Sequence, residues 1–406
     1  MRLLHRVLVS GFIVGLGFSI TLSESTLAAL TVLWLWQLRD PDVRLRARWP
    51  LLGPALAFSA LTLASALASG SVMASLWSSK KLLLIAVLYV VANTFERSQV
   101  DGSFLLPLGV VSAAAAAVGL VQTSFCVGHE PGHGNPEWFF HHCHRARGFF
   151  SIYMTLAGVL SLTLLATFPW AFSAPKVRWW FLAWWTMLAG FIATYSRGAW
   201  MGFVSGLLVM RAAIPYRRWL LVGGLAVAVV LGAVTLAPYG VSKRIHRMVY
   251  FRDDKPVQER LHMWESGLEM WREHPWLGHG PGGVKRDYHR FAHPDALKQR
   301  TGHLHNTLLQ ILVERGLLGL LAWLAIFGAF FRQVGRQLRR AAASERALLW
   351  RSLAAIIAFL AAGLTEYNFG DSEVVMVAWA IMALPFTRAE TAEATTRHPA
   401  APAAVA

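Results

Sequence analysis

The stretch HLHNTLLQILVERGLLGLLAWLAIFGAF, residues 303–330, joins two histidines and an asparagine to an apolar segment long enough to cross a bilayer. Apolar blocks of about 17 to 25 residues recur along the chain between short polar segments, and this length matches the hydrocarbon core of a membrane. The blocks are apolar on every side, whereas amphipathic helices and half-buried strands keep a polar face, so they predict transmembrane helices. The stretch 303–330 therefore indicates chemistry at a membrane surface.

The composition agrees with a membrane protein, because 55% of the 406 residues are hydrophobic and only 15% are charged. We predict an all-α integral membrane protein with about 12 transmembrane helices and a long, partly helical extracytoplasmic loop. No internal repeat is evident, which weakens the case for a transporter built from inverted repeats. The predicted spans are 8–22, 24–38, 51–68, 82–95, 104–124, 149–170, 178–194, 199–213, 219–238, 303–330, 347–365 and 373–387.

The orientation follows from the short loops that are rich in Lys and Arg, because all of them fall on one side, which is then cytoplasmic. Both termini are predicted to be cytoplasmic, and the first apolar block is interpreted as a signal anchor rather than a cleaved leader. The predicted organisation is spans 1–9 in residues 1–238 with a short extracytoplasmic loop at 125–148, a long extracytoplasmic loop at 239–302, the last three spans in 303–387, and a disordered cytoplasmic tail at 388–406.

The net charge of +16 would suggest nucleic acid in a soluble protein, but topology explains the charge of cytoplasmic loops. We therefore predict no nucleic-acid partner. The loop 239–302 differs, because it carries twelve Lys and Arg against eight Asp and Glu, with six His, on the side where basic residues have no topological reason to be. An anionic ligand at that face would explain the excess.

The two cysteines of the chain, Cys126 and Cys143, fall in the same extracytoplasmic loop. In an oxidising compartment they could form a disulfide that closes a loop of about 17 residues and stabilises the fold by about 3 kcal/mol. The alternative is a metal site, since five His crowd the same loop. Their spacing is irregular and no paired Cys-x-x-Cys occurs, so we predict no essential metal there.

Arg197 is the first candidate for contact with a lipid head group. It stands in Tyr195-Ser-Arg-Gly-Ala-Trp200, a tight break between two predicted spans at the extracytoplasmic surface. A guanidinium held on rigid helix ends is a fixed fork for phosphate oxygens. The alternative is that the side chain merely snorkels to the interface.

Arg260 is the second candidate, on a predicted amphipathic helix over residues 257–273. The apolar residues of this helix recur at spacings of three and four, so their face would lie at the membrane interface. Arg260 would then point toward the head groups, or else belong to a solvated charged face. The Gly- and Pro-rich segment 274–283 would end the helix and could bring backbone N–H groups close to a ligand. The apolar face comprises Leu261, Trp264, Leu268 and Trp271.

His303, His305 and Asn306 begin the tenth predicted span. Histidine is the side chain whose ordinary pKa allows proton transfer near neutral pH, although either ring could instead be hydrogen-bonded to a neighbouring loop. Two residues apart on a helix, the two rings would diverge by about 200°, so at most one is expected to face a given substrate atom. The last extracytoplasmic turn contains three polar residues that could orient a His or Arg, or face water: Glu366, Asn368 and Asp371.

Three motifs, taken in order, resemble the O-antigen ligase and polymerase superfamily. The likeness extends over most of the chain from about residue 100, and the segment Arg145-Ala-Arg-Gly148 also looks like the arginine-plus-glycine element of that family. The motifs are Tyr195-Ser-Arg-Gly198, then Arg260 with Met263-Trp264 and the loop His274-Pro-Trp-Leu-Gly-His-Gly-Pro-Gly282, and then His305-Asn306 followed by Gly316-Leu-Leu-Gly319.

The resemblance implies an inner-membrane enzyme that takes a polysaccharide from undecaprenyl diphosphate at the periplasmic face. The acceptor is lipid A–core oligosaccharide in the ligase branch, another lipid-linked repeat in the polymerase branch, and a protein hydroxyl in a third branch. The His-Asn element with Gly316 and Gly319 looks most like the ligase version, so we favour a ligase. The implied partners are the undecaprenyl-diphosphate-linked polysaccharide, lipid A–core and membrane lipids.

The resemblance also implies residue roles. His305 would be the general base, and Arg197 and Arg260, with Arg145, would bind the diphosphate. Fixed guanidinium groups can play the part that a divalent metal plays elsewhere, so we expect no cofactor, no metal, and inversion at the anomeric carbon. Four further residues would support the site: His303, Asn306, Glu366 and Asp371.

A transporter or flippase for a lipid-linked sugar is the alternative from another class. Its signature would be ionisable residues buried at mid-span along a path. The middles of the predicted spans carry few charges, and the polar residues collect at one face. This distribution favours catalysis at the surface.

Overall fold

The computed structural model describes residues 2–124, 145–172, 178–211 and 255–388. Within these ranges the protein is helical and contains no β-strand, only an isolated bridge between Glu96 and Arg388. The predicted all-α class is confirmed. The predicted ninth span, at 219–238, lies outside the described residues, as do Cys126 and Cys143 and all of the predicted tail 388–406 except Arg388.

The helices follow the apolar blocks of the sequence, with differences at their ends. The described α-helices are α1 (Arg2–Phe18), α2 (Ile20–Gln37), α3 (Pro41–Arg46), α4 (Leu52–Ala68), α5 (Val72–Ser78), α6 (Ala86–Thr94), α7 (Leu106–Ser124), α8 (Tyr153–Ala166), α9 (Arg178–Ala193), α10 (Arg197–Met210), α11 (Lys255–Glu273), α12 (Gly283–Asp287), α13 (Thr307–Arg340), α14 (Ala343–Ala362) and α15 (Ser372–Ala383).

Three helical segments of the described residues are long and apolar enough to cross a membrane: Val72–Thr94, Asp101–Thr123 and Thr307–Arg340. The first joins α5 to α6 through a 3-10 turn, so it begins ten residues before the predicted span 82–95. Six further apolar helices are shorter. The membrane character is confirmed, and the number of about 12 spans stays a prediction.

The packing of α10 against α14 positions the loops between helices at one end of the bundle. Small residues allow the two backbones to approach closely, since a Cβ on Gly202 would lie 2.5 Å from the carbonyl oxygen of Ala358. The start of α10 consequently lies beside residues 363–371, which follow α14. Bulky side chains such as Trp184, Trp323 and Phe168 fill the core around them.

A second, smaller core joins α11 and α12 to the start of α13. It consists of Met263 and Met270 of α11, Val284 and Tyr288 around α12, and apolar residues at the start of α13. The predicted helix over 257–273 is thus confirmed, and its buried stripe joins α11 to α13 rather than to a membrane. Leu261 and Leu268 are exposed, as expected for an interfacial face.

The tryptophans of α11 depart from the predicted free apolar face. The indole of Trp264 donates to the carbonyl oxygen of Leu304 at 2.9 Å, and that of Trp271 donates to Pro275 at 3.1 Å. Buried indole N–H groups require such acceptors. The two rings therefore anchor α11 to the segments on either side of it.

Candidate functional site

The segment that carries the two histidines is not helical, and this corrects the expected 200° divergence of their rings. Helix α13 begins at Thr307, and His305 has a φ of 50°, so the chain turns sharply before the helix. The rings of His303 and His305 consequently lie edge to face, with centroids 4.3 Å apart. Asn306 is the N-cap of α13, since its side chain accepts from Leu309 N at 3.0 Å.

Glu366 connects His305 to Arg260, and the three side chains form what we term the His–Glu–Arg group. One carboxylate oxygen lies 3.1 Å from Nδ1 of His305, and the other accepts from the Arg260 guanidinium at 2.7 Å. The side chains are 13% exposed for Glu366, 16% for His305 and 27% for Arg260, so the group is shielded yet reachable. Residues far apart in sequence thereby meet at one point.

The carboxylate of Glu366 is ionised at neutral pH. Burial alone would raise its pKa, but the hydrogen bond from His305 and the charge of Arg260 outweigh burial and hold the pKa below its usual value. An ionised Glu366 accepts the proton on Nδ1 of His305. In the neutral imidazole tautomer that donates from Nδ1, the other ring nitrogen, Nε2, carries a lone pair and can act as a base.

His303 is a neutral companion of this group. Burial, followed by the neighbouring charge of His305, lowers its pKa to about 4. Its Nδ1 is buried and has no hydrogen-bond partner among the described residues. His303 therefore contributes an uncharged ring against His305 rather than a second cation.

Arg197 begins α10 directly beside the same loop. A Cβ on the adjacent Gly198 would collide with the side chain of Thr365 and lie 3.3 Å from Cγ of Glu366. Only glycine allows the helix start to approach this closely. Arg197 and Glu366 consequently lie close together in space, although 168 residues lie between them in the sequence.

The segment that begins at Arg145 is hydrogen-bonded to the end of α9, and Arg197 follows α9 in the chain. The amide of Ala146 donates to the carbonyl oxygen of Ala193 at 2.9 Å, which fixes the segment against the last turn of α9. The Arg145 guanidinium stacks over Tyr153 at 4.3 Å from the ring centroid. Stacking on a ring face leaves the N–H edges of a guanidinium available for phosphate oxygens.

Asp371 has a structural position instead. It is the N-cap of α15, accepting from Val374 N at 3.3 Å, and its other oxygen accepts from the Thr155 hydroxyl at 2.5 Å. Asn368 accepts from Thr307 at 2.9 Å and donates to Phe359, so it joins the start of α13 to the end of α14. Of the three polar residues in the last turn, Glu366 alone contacts His305 in the described structure.

The Gly-rich segment 274–283 contacts a break in α13 rather than forming an open backbone cradle. Gly316 has a φ of 66° and interrupts the helix, and a Cβ there would collide with the carbonyl of Trp276. The break frees backbone groups, and the segment satisfies them: Leu317 N donates to Pro275 at 2.8 Å, and His279 N donates to Val313 at 2.9 Å.

A buried ion pair at this break was missed by the sequence analysis. Arg315 lies 3.1 Å from Glu314, and the side chains are only 8% and 5% exposed. Gln310 donates to Glu314 at 2.8 Å and accepts from Leu304 N at 2.9 Å, which extends the network toward the histidines. Arg315 is also a hydrogen-bond partner of Tyr367, next to Glu366, and burial raises the pKa of that phenol.

This pair corrects the expectation that the spans are nearly free of charge. The signal was present in the sequence, because Glu314-Arg315 interrupts an otherwise apolar run. A second buried arginine, Arg351 of α14, pairs with Asp101 at 3.0 Å. Both of these buried arginines have acidic partners: Arg315 pairs with the preceding residue of α13, and Arg351 joins α14 to the segment before α7, which is the arrangement of structural pairs rather than of an open path.

The described residues contain two groups that could hold a metal ion: His262 with Glu265 and His293, and Glu273 with His274 and His279. Neither group contains His305 or a candidate phosphate-binding arginine. The His-rich loop that holds Cys126 and Cys143 lies outside the described residues, so the disulfide stays a prediction.

Comparison with known proteins adds two findings. A family model described as O-antigen ligase matches residues 182–324, a range that includes Arg197, Arg260 and His305. An O-antigen ligase of Pseudomonas aeruginosa strain PAO1 is 30% identical over 181 residues, which is 44% of this chain and 38% of the relative. The matched part is thus well under half of the relative's own length.

Proposed function

We propose, from the premise that the chain belongs to the O-antigen ligase family, that it transfers O-polysaccharide from undecaprenyl diphosphate to lipid A–core oligosaccharide. The observation that carries the proposal is Glu366, which holds His305 and Arg260 together at one partly exposed point. The protein would lie in the bacterial inner membrane with this site facing the periplasm and both termini in the cytoplasm.

The acceptor hydroxyl is activated by His305. Its Nε2 takes the hydroxyl proton while the acceptor oxygen attacks the anomeric carbon of the donor sugar. Glu366 fixes the tautomer that leaves Nε2 free and stabilises the imidazolium that forms, as a carboxylate does in hydrolase triads. General-base catalysis of this kind contributes about 10²–10⁴-fold.

The leaving group is a lipid diphosphate, which departs as the bond from the anomeric carbon to the bridging oxygen breaks. Negative charge grows on that oxygen, and the guanidinium groups of Arg197 and Arg260, with Arg145, would stabilise it. Attack opposite to the leaving group inverts the anomeric carbon. Because the donor is already activated and its charge is matched by arginines, the reaction needs neither a nucleotide nor a metal ion.

Arg260 would bind Glu366 and the diphosphate at the same time in this scheme. In the structure it is bound to Glu366 at 2.7 Å, and its partial exposure allows the other N–H groups of the fork to meet a phosphate. Because Glu366 contacts both side chains, it would transmit the effect of diphosphate binding at Arg260 to His305. Binding and base catalysis are thereby coupled through one carboxylate.

Polymerisation of the lipid-linked chain, or transfer to a protein hydroxyl, would use the same groups with a different acceptor. Transport of a lipid-linked sugar is the alternative from another class, and the buried Glu314 and Arg315 are the observation that favours it. Their mutual pairing and the Gln310 hydrogen bond argue for a structural role instead.

The deciding experiment is transfer in vitro with purified chain, undecaprenyl-diphosphate polysaccharide and lipid A–core. We expect a ladder of products on lipid A–core, abolished by His305→Ala and by Arg197→Ala. His289→Ala is the matched control, because His289 is an exposed histidine of the same loop region. Growth of the lipid-linked chain without transfer to lipid A–core would move the assignment to a polymerase, and translocation without a new glycosidic bond would move it to a transporter.

A further inference from the structure

A cluster of two histidines and a carboxylate lies on α11, away from the candidate active site. His262 and Glu265 are three residues apart and share one face of the helix. Arg260, which contacts Glu366, is two residues before His262 and therefore points about 200° away. The cluster is thus separate from the His–Glu–Arg group by the width of the helix.

The third member, His293, comes from the segment that returns toward His305. Its ring stacks on that of His262 with centroids 4.4 Å apart. Its Nε2 lies 3.8 Å from a carboxylate oxygen of Glu265, and Nδ1 of His262 lies 3.6 Å from the same oxygen. All three ligand atoms fall within 4.8 Å of one another.

One of these atoms lacks a hydrogen-bond partner within the part of the chain that the structure describes. Nδ1 of His262 is buried and has no hydrogen-bond partner among the described residues, although the ring itself is partly exposed. Buried polar atoms normally have hydrogen-bond partners, so an unpartnered ring nitrogen that faces a carboxylate and a second imidazole indicates a place where a ligand binds. Glu265 is well exposed, which leaves a path for an ion from solvent.

We propose that His262, Glu265 and His293 bind a divalent zinc ion. In a tetrahedral site with metal–ligand distances near 2.1 Å, ligand atoms lie about 3.4 Å apart. The two separations between a ring nitrogen and the Glu265 oxygen, 3.6 and 3.8 Å, exceed this by a few tenths of an ångström, and the two rings would close on the ion from within 4.8 Å. Two imidazoles and one carboxylate leave a fourth position for water. In the structure Nδ1 of His293 accepts from the backbone N–H of Asp295 at 3.2 Å; once Nε2 holds the metal, this nitrogen would carry the proton instead and donate it to the Asp295 carboxylate, which lies 3.9 Å away.

The ion would fasten the segment 293–298 to α11. Two protein contacts already begin this attachment: His293 N donates to the Ser266 hydroxyl at 3.0 Å, and the Glu259 carboxylate accepts from Leu297 N and Lys298 N at 2.8 and 2.9 Å. The same segment continues to His303 and His305. Zinc would therefore stabilise the approach to the active site without taking part in the transfer, and this proposal does not depend on the proposed function.

The test is metal binding by the full chain after chelation and removal of the chelator. Zinc is titrated by calorimetry, and cobalt is used as a spectroscopic substitute, with the unmodified chain compared with Glu265→Gln and His293→Ala. Each variant is expected to lose one bound ion per chain, or to bind it at least about tenfold more weakly, because removing a metal ligand weakens binding no less than removing a residue that hydrogen-bonds to a ligand. Cobalt in the unmodified chain should give the visible bands of a four-coordinate ion.

Two controls separate this site from other histidines. His274→Ala removes a member of the second group, and His289→Ala removes an exposed histidine, and neither should abolish the ion in question. Zinc should also slow amide hydrogen exchange across residues 293–298 in the unmodified chain and in the two control chains, but not in Glu265→Gln or His293→Ala. Equal stoichiometry and affinity in the Glu265→Gln chain, which keeps the shape of an exposed side chain, would overturn the proposal.

Discussion

The His–Glu–Arg group and the buried Glu314–Arg315 pair are built from the same residue types, yet their surroundings give them different capacities. In each, a glutamate bridges a guanidinium and a second polar group, which is His305 in the first and Gln310 in the second. Arg260 keeps 27% of its side chain exposed, whereas Arg315 keeps 8%. A partly exposed guanidinium can offer its remaining N–H groups to a substrate, whereas a fully buried pair is closed to one.

The buried pair is expected to govern stability. Arg315→Ala leaves Glu314 as an uncompensated buried charge, so the free energy of unfolding should fall by about 3–5 kcal/mol. Thermal unfolding of the purified chain in detergent measures this loss. Arg332→Ala, at an exposed position of the same helix, is the control, and an equal effect of both substitutions would show that burial of the pair is unimportant.

His303 should make stability depend on pH. Its pKa is about 4 in the folded chain against 6.5 for the free side chain, so the unfolded chain binds more protons between these values. Stability should therefore decline by about 3 kcal/mol as the pH falls from about 6.5 to 4, and level off below. His303→Phe keeps a ring but cannot titrate, so its unfolding temperature should decline less across this range. A parallel decline in both chains would contradict the assignment.

The His–Glu–Arg group is expected to govern the reaction and not the fold. Glu366→Gln removes the negative charge that fixes the tautomer of His305, so kcat for transfer should fall by about 10²-fold or more. The fall should be larger in kcat than in KM, since the acceptor does not bind Glu366 directly. Glu269→Gln, at an exposed position of α11, supplies the control. A rate that survives Glu366→Gln would remove Glu366 from the mechanism.

Chelation should have the smallest effect on transfer. If arginines match the diphosphate charge, EDTA leaves the rate unchanged although it strips an ion from His262, Glu265 and His293. Transfer is measured with and without EDTA in the same preparation, alongside the unfolding temperature. Loss of activity on chelation, restored by zinc or magnesium, would mean that an ion takes part in the reaction.

Part of the site could be predicted from residues alone because the relevant signal is local. Arg197 and His305 stand at interruptions of apolar segments and Arg260 on an amphipathic helix, and the matched family range contains all three. Asn306 was chosen for the same reason, yet its side chain caps α13. The same local signal thus marks residues with a chemical role and residues that only end a helix, because both need a polar side chain at a boundary.

The break in α13 illustrates what local patterns miss. The run around Glu314, Arg315 and Gly316 looked like a continuous span, since its mean hydropathy is high despite two charges. The helix breaks there because the segment after α11 supplies hydrogen bonds to the freed backbone groups. That contact joins residues about 40 positions apart, so no local rule contains it.

By itself the sequence determined the helical class, the membrane character and the chemical types at one face, because hydrophobic length and residue chemistry are properties of short stretches. Only the tertiary structure decided that Glu366, rather than Asp371, meets His305 and Arg260, and that the two histidines touch. The physical reason is that these contacts depend on how closely α10, α11, α13 and α14 pack. Packing is set by the whole set of side chains at the helix interfaces and not by any one segment.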